Sequence, residues 1–134
     1  MQDGCFMRKC RFIALFIGFM AVVGIPTSLS AQTVADGCRM AQKGDAEAQF
    51  QLGARFALGE GVVQSYEEAV KWYRKAARHN HASAQYALGV CYAEGLGVRQ
   101  SLSKSEKWHR KAAAQGHPLA QHNLNILQNS QRKR

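Results

Sequence analysis

Residues 46–81 read AEAQFQLGARFALGEGVVQSYEEAVKWYRKAARHNH, and residues 82–117 read ASAQYALGVCYAEGLGVRQSLSKSEKWHRKAAAQGH. Laid over one another without a gap, the two stretches are identical at 18 of 36 positions. A third copy begins at residue 118 as PLAQHNLNILQ, and CRMAQKGD at 38–45 aligns with the end of the first unit. Self-similarity at this period is typical of a solenoid, in which each unit buries its apolar face on its neighbours.

The first half of each unit predicts an amphipathic helix. Ala48, Leu52 and Phe56 recur every four residues and so share one face, which we expect to point into the core. Gly53, and Gly89 in the second unit, fall in the middle of this helix, where glycine costs about 1 kcal/mol relative to alanine. A close approach of the partner helix, which a side chain would block, is the expected compensation.

A glycine-rich turn at residues 59–61 predicts the end of the first helix, and a second helix follows it. Ser65, with Glu68 three residues later, has the form of a capping box. Trp72 and Trp108, at equivalent positions of the two units, are expected to be large anchors of the core. The repeat therefore predicts an all-α fold, an α/α superhelical solenoid of antiparallel helix pairs with about six helices.

The first thirty residues have the order of a secretory signal peptide. A segment with three basic residues, 8–11, is followed by an uncharged apolar stretch, 12–25, and then by small residues. The apolar stretch is shorter than the roughly twenty residues that a membrane-spanning helix needs. We therefore expect cleavage after Ser30 or Ala31, a periplasmic or secreted protein, and no stable membrane insertion after cleavage. An uncleaved anchor is the alternative.

The expected organisation is a signal peptide, one repeat domain and a short tail. Its predicted parts are a signal peptide at 1–31, a repeat domain at 32–130 made of half-unit 34–45, units 46–81 and 82–117 and half-unit 118–130, and a basic tail at 131–134.

The chain is basic, with 18 lysines and arginines against 9 acidic residues and a formal charge of +9. A charge of this sign favours anionic partners, and the tail at 131–134 predicts weak contact with an anionic cell-envelope surface. Nucleic acid is a poor partner for a protein that leaves the cytoplasm. The repeat also places basic residues on the second helices, on a face that we expect to be solvated: Lys71, Arg74, Lys75, Lys107, Arg110 and Lys111.

The shared pattern AxAQxxLGxxYxxGxGVxQSxxxxxKWxRKAAxxxH resembles the Sel-one-like repeat, a relative of the tetratricopeptide repeat. The resemblance covers residues 36–128 and is carried by the Leu-Gly pair, the Gly-x-Gly-Val loop and the Trp followed by Arg-Lys-Ala-Ala. The chain departs from the family pattern where Ser65 and Ser101 replace aspartate, and where Asn125 and Gln128 replace glycine and tyrosine. The resemblance implies a superhelix whose first helices line a concave surface, and a role as an adaptor or regulator in protein assembly.

A stripe on the first helices is the candidate partner-binding site. It is offset from the core stripe, carries aromatic and small apolar residues, and would form rows across the stacked units: Phe50, Ala54, Tyr86, Val90, His122 and Ile126. Sites that bind a helix or an extended peptide use such residues as anchors. The same residues could instead fill the packing between units. A protein or peptide partner on the concave face is the leading hypothesis.

Ser101-Leu-Ser-Lys104 matches the Ser-x-x-Lys nucleophile motif of β-lactamases and penicillin-binding proteins. A cysteine-rich branch of the family that the chain resembles has been linked to β-lactam binding. The alternative function is therefore a binder of β-lactams or peptidoglycan fragments, or a weak hydrolase, using Ser101. The equivalent Ser65 has the form of a helix cap, and no Ser-Asp-Asn or Lys-Thr-Gly accompanies the motif. We therefore expect the protein not to be an enzyme.

Neither a metal nor a cofactor is expected. The glycine-rich loop at 59–61 lacks the third glycine and the lysine of a phosphate-binding loop. His81 and His117 occupy equivalent positions in successive units, roughly one helix-packing distance of 10 Å apart. That spacing is too wide for two ligands of one zinc ion, whose bonds to nitrogen are about 2.0–2.1 Å.

Cys38 and Cys91 are the two cysteines that remain after the predicted cleavage. A whole helix pair, 46–79, separates the helices that carry them, and adjacent packed helices lie about 8–10 Å apart. Since a disulfide needs Cα atoms within roughly 7 Å, we predict no Cys38–Cys91 bond. In the cysteine-rich branch of the family that the chain resembles, disulfides join the two helices of one unit. Neither unit here has the two cysteines that such a bond requires.

Overall fold

The computed structural model describes residues 28–133, with side chains from Val34 onward. This part of the chain contains six α-helices and no strand: α1 (Ser28–Gln42), α2 (Ala46–Leu58), α3 (Tyr66–Arg78), α4 (Ala82–Glu94), α5 (Leu102–Ala114) and α6 (Pro118–Arg132). The predicted signal peptide lies outside the described residues, except for residues 28–31, which belong to α1.

Each helix packs mainly on the helix before it and the helix after it in the chain. The most extensive contacts join α2 to α3 and α4 to α5, the two helices of each whole unit. α1 packs on α2, and α6 packs on α5, as half-units do in a stacked array. The prediction of an all-α solenoid with about six helices is confirmed.

The helix boundaries of the two units are formed by the predicted residues. Gly59 and Gly95 end the first helices in the left-handed region, with φ of 74° and 73°. The hydroxyl oxygens of Ser65 and Ser101 accept hydrogen bonds from the third backbone N–H of α3 and of α5, at 3.3 and 3.4 Å. A side-chain acceptor at this place satisfies one of the donors that a helix N-terminus leaves open, so both serines are N-caps.

The mid-helix glycines permit close packing within each unit. A Cβ added at Gly53 would lie 2.7 Å from the ring of Tyr73, and one at Gly89 would lie 2.6 Å from the ring of His109. Contacts that short are sterically forbidden, so only glycine lets the second helix bring its ring onto the first. The predicted compensation for two mid-helix glycines is confirmed.

The expectation that both tryptophans are core anchors is correct for Trp72 and wrong for Trp108. Trp72 is 4% exposed, whereas Trp108 is only partly buried against the edge of the core. The second unit, α4 and α5, follows α3, but α5 is followed by a single helix within the described residues. Trp108 therefore has less of the chain to cover it.

At both ends of the described range the helices run further than the repeat boundaries suggest. α1 begins at Ser28, before the half-unit predicted at 34–45, and α6 continues to Arg132, into the predicted tail. Within residues 28–133, no helix combines the length and the apolar character that crossing a membrane requires.

Candidate protein-interaction site

A buried glutamine at the start of each whole unit fixes the first helix onto the preceding second helix. Gln49 donates from Nε2 to the carbonyl of Ala41 at 3.0 Å, and Gln85 donates to the carbonyl of Ala77 at 3.3 Å. Both glutamines are almost fully buried. These bonds satisfy carbonyls near the end of a helix, and they set how one unit sits on the next. The shared sequence pattern contains both glutamines but does not reveal this role.

Phe50 lies where the first unit packs on the second, a contact that we call the first joint. The equivalent contact between the second unit and α6 is the second joint. Its ring stacks on His81, with centroids 5.0 Å apart, and tilts against Tyr73 at 5.8 Å. The Nδ1 atom of His81 accepts from the backbone N–H of Ala84 at 3.2 Å and caps α4. Since Nδ1 accepts, Nε2 of the neutral ring carries the proton and donates to Glu47 Oε2 at 2.8 Å. The phenylalanine is therefore half-buried beneath a fixed imidazole.

Glu47 is an anion that orients this joint. Its carboxylate accepts hydrogen bonds from Gln51 at 2.7 Å and from His81 at 2.8 Å. The bond from Gln51 lowers the pKa of the carboxyl most, and the bond from His81 lowers it further. The second unit has Ser83 at the equivalent position. The carboxylate therefore belongs to the first joint alone.

Tyr86 occupies the equivalent joint of the second unit and lies between two histidines. Its ring stacks on His117, with centroids 4.6 Å apart, and tilts against His109 at 5.4 Å. The Nδ1 atoms of both histidines are buried without a hydrogen-bond partner among the described residues. Burial lowers the pKa of His109, which is 1% exposed, and the electrostatic effect of His117 lowers it further. A neutral His109 thus stands where the first unit has Tyr73.

The structure separates the six predicted partner-binding residues into two groups. Phe50 and Tyr86 lie half-buried in the joints, in the packing role that the sequence left open as an alternative. The other four remain at the surface: Ala54 and Val90 partly exposed, and His122 and Ile126 exposed, with Ile126 at 53%.

Two further apolar side chains extend the exposed set. Leu58 follows Ala54 by one helical turn and is 67% exposed. Leu119 precedes Ile126 by two turns on the same side of α6 and is 56% exposed. The sequence carried the signal for both, since they fall on the same stripe as Ala54 and Ile126. We call these five exposed or partly exposed positions the first-helix face: Ala54, Leu58, Val90, Leu119 and Ile126.

The proposed nucleophile pair does not form a reactive arrangement. Ser101 Oγ caps α5, and Lys104 Nζ lies over the ring of Tyr92, 5.5 Å from its centroid. A cavity of about 320 Å³ is lined by residues of α1 and α2 and by Asp45 between them, not by Ser101. The geometry therefore gives no support to the β-lactam or peptidoglycan alternative.

The remaining chemistry-bearing side chains are dispersed. Among residues 28–133, no three histidines, cysteines or acidic residues come together as a metal site would require. Cys38 on α1 and Cys91 on α4 are both buried, and no disulfide joins them in the structure. Burial raises the pKa of the Cys91 thiol to about 11.

Comparison with known proteins identifies relatives of the chain. The family model of the Sel1 repeat matches residues 46–81 and 82–117, more than half of the sequence. The structure is similar to that of a Sel1 repeat protein from Oxalobacter formigenes, with 37% identity, a TM-score of 0.63, and coverage of 64% of this chain and 65% of that one. It is also similar to a protective antigen present in uropathogenic Escherichia coli strains and displaying an SLR fold, with 35% identity and a TM-score of 0.68.

The coverage of these structures differs. The match to the Escherichia coli antigen covers 70% of this chain and 20% of that one, so the chain spans only part of both relatives. Cysteine rich protein B of Helicobacter pylori shares the fold over 91% of both chains, with a TM-score of 0.63 and 22% identity. No curated protein matches the sequence.

Sel1 repeat proteins are typically protein-interaction scaffolds and are generally non-catalytic. The two matched units coincide with the two helix pairs of the structure, α2 with α3 and α4 with α5. The chain belongs to the Sel1 repeat family.

Proposed function

We propose that this protein is an exported scaffold that binds a protein or peptide through its first-helix face and acts as an adaptor or regulator. The observation that supports the proposal is a set of apolar residues at corresponding positions of α2, α4 and α6, of which Ala54 and Val90 are partly exposed and Ile126 is exposed. Apolar side chains gathered on one exposed face mark interaction sites more often than scattered ones do.

Val90 illustrates why this stripe is available to a partner. It follows the fully buried Leu88 by two residues, which is roughly 200° around the helix. Its side chain therefore points away from the core, and the equivalent Ala54 does the same in α2. The exposed part of each side chain is therefore available to a partner.

The joints beneath the face support this function by holding it rigid. Phe50 and Tyr86 are each fixed by a stacked histidine, and the glutamine bonds set the stacking of the units. Preorganised sites lose less entropy on binding. We propose that the half-exposed edges of these two rings act as anchors together with Val90, Ile126 and His122.

Export is proposed from the order of residues 8–31, which is that of a signal peptide. N-terminal sequencing of the protein recovered outside the cytoplasm should begin at Ala31 or Gln32. Recovery of the intact chain in the membrane fraction alone would indicate an anchor and overturn this part of the proposal.

Affinity capture with matched variants tests the binding site. The wild-type protein, Val90→Asp and Lys107→Glu would be immobilised in turn and exposed to an extract of the native cell envelope. Truncated or charged hot spots cost about 2 kcal/mol or more, roughly a thirtyfold loss of affinity. A protein that Lys107→Glu retains and Val90→Asp loses supports the proposal, provided that both variants melt like the wild type. Loss with Lys107→Glu alone would refute it.

A further inference from the structure

Charge is segregated between the two kinds of helix. The second helices α3 and α5 each carry four basic residues, against two acidic residues in α3 and one in α5. The first helices α2 and α4 together carry one basic and two acidic residues. Because the units repeat the same packing, α3 and α5 lie on the same side of the first helices. The net positive charge of the repeats is therefore concentrated on one side.

Six exposed cations form this side, at three positions that repeat in both units. We call them the basic face: Lys71, Arg74 and Lys75 on α3, and Lys107, Arg110 and Lys111 on α5. Equivalent positions on stacked units form rows, so the same charge recurs across the face at the spacing of one unit.

Aromatic side chains hold several of these cations in place. Lys75 Nζ lies 4.0 Å from the ring centroid of Trp72, and Lys111 Nζ lies 4.7 Å from that of Trp108. Arg74 Nη2 donates to the hydroxyl of Tyr92 at 2.8 Å. A cation–π contact positions an ammonium group without neutralising it. Both contacts therefore place an ammonium group beside a tryptophan and leave it able to attract an external anion.

Acidic neighbours neutralise only a minority of the face. Glu68 pairs with Lys71 at 2.8 Å, and Glu106 pairs with Arg110 at 2.6 Å. Lys75, Lys107 and Lys111 have no acidic partner among the described residues. No acidic side chain among the described residues therefore weakens the attraction of these three ammonium groups for an external anion.

Trp108 adds an amphipathic component beside two of the cations. It is partly exposed, unlike the equivalent Trp72, and it lies next to Lys107 and beneath Lys111. Tryptophan favours the headgroup region of bilayers, where one end of its ring is apolar and the other is wet.

We propose that the basic face docks on the surface of an anionic phospholipid bilayer, with Trp108 at the level of the headgroups. Juxtaposed lysines and arginines attract such a surface, each contributing about 1 kcal/mol, or roughly a fivefold gain in partitioning. The docking is peripheral and uses residues of the second helices, so it leaves the first-helix face on α2, α4 and α6 accessible to a protein.

A bilayer fits this face better than a soluble polyanion does. The cations are spread over the second helices of two units, α3 and α5, and none of them lines the cavity on α1 and α2. Proteins that bind a linear polyanion commonly provide a groove that follows its backbone. Exposed cations that recur on two units beside a partly exposed indole instead match the repeated anionic headgroups of a bilayer.

Cosedimentation of the full chain with vesicles tests the proposal. Vesicles of phosphatidylcholine with roughly one third phosphatidylglycerol present the anionic surface that polybasic segments recognise. Vesicles of pure phosphatidylcholine serve as the uncharged control. They measure any vesicle binding through the apolar segment 12–25, because that binding does not depend on lipid charge. Lys75→Glu with Lys111→Glu removes two cations of the face, and Lys43→Glu with Arg99→Glu makes the same change in net charge at exposed positions outside it.

The proposal predicts a loss of at least about 25-fold for the first pair of substitutions, two factors of five, and at most a small loss for the second. Equal losses would show attraction to overall charge and overturn the proposal, as would equal binding of the wild type to both kinds of vesicle. Val90→Asp should retain vesicle binding, so failure of the protein-binding proposal would leave this one standing.

The fluorescence of Trp108 separates a bilayer from a soluble polyanion. Trp72→Phe leaves Trp108 as the sole tryptophan, since the chain has two. Its emission should shift to the blue on anionic vesicles and remain unchanged with inorganic polyphosphate. Tight binding to polyphosphate, with neither vesicle binding nor a blue shift, would assign the face to a soluble polyanion and overturn the lipid assignment.

Discussion

The imidazole of His109 lies directly on Gly89, so that a Cβ built on that glycine would come within 2.6 Å of the ring. The ring is 1% exposed, and it occupies the place that Tyr73 takes over Gly53 in the first unit. Each helix pair therefore depends on one glycine in its first helix and one ring in its second.

Gly89→Ala should destabilise the protein by about 1–3 kcal/mol, the usual cost of overpacking a core. The new methyl group would collide with the ring of His109, which is 1% exposed. Gly37→Ala is the matched control, since a Cβ there meets nothing within 4 Å. We expect this control to be neutral or stabilising by up to about 1 kcal/mol, because alanine is the better helix former. Urea denaturation of both variants measures the difference, and equal stabilities would refute the close approach.

Acidification should weaken the second joint. The pKa of His109 is lowered in the folded state, so below about pH 6.5, the ordinary histidine value, the unfolded chain takes up the proton first. The stability that the neutral ring contributes is complete above that pH and is lost as the pH falls below it. Tyr86 and His117 are the titratable rings that act on His109, and His117, which contributes to this lowered pKa, opposes its protonation further.

His109→Tyr tests this dependence, because tyrosine is the residue at the equivalent position of the first unit. The free energy of unfolding, measured between pH 7.5 and pH 5, should fall less in the variant than in the wild type. An identical fall in both proteins would show that other groups cause the acid sensitivity.

The two tryptophans should differ in their importance for stability. Trp72→Ala should cost about 3–5 kcal/mol, as expected for a buried aromatic residue. Trp108→Ala should cost clearly less, since part of its ring is already exposed. Thermal melting of both variants gives the comparison, and a Trp108→Ala protein that is the less stable of the two would contradict the structure.

The buried thiols should remain unlinked within one chain. Intact mass measurement of the folded monomer under non-reducing conditions should show no loss of two protons, and a peptide joining Cys38 to Cys91 would contradict the stacking order of the helices. Since burial raises the pKa of Cys91 to about 11, we also expect slow alkylation of this residue at neutral pH until the protein unfolds.

Most of the fold follows from the repeat. The two aligned copies indicate the helix boundaries, and the capping Ser65 marks the start of α3. Gly53 indicates where the second helix packs closely on the first. The burial of Trp108 could not be predicted in the same way. Equivalent residues have equivalent surroundings only when both units have the same neighbours. Within residues 28–133, α3 is followed by three helices and α5 by one.

The candidate site was harder to predict from the sequence. The stripe on the first helices was visible, but periodicity alone cannot show whether Phe50 protrudes or packs. Its burial depends on His81, which comes from the next unit and stacks on it. Likewise, the basic face was expected to be a solvated surface. The cation–π contacts that hold Lys75 and Lys111 in position became apparent only with the side chains in place.

Site-specific photo-crosslinking in living cells tests the central claim most directly. A photoreactive phenylalanine analogue would be placed in turn at Val90 and Ile126 on the first-helix face, and at Lys107 and Lys111 on the basic face. The account predicts an adduct with the same protein partner from both first-helix positions and from neither basic-face position. Protein adducts from Lys107 and Lys111, with none from Val90 and Ile126, would show that the partner binds the other side and would contradict it.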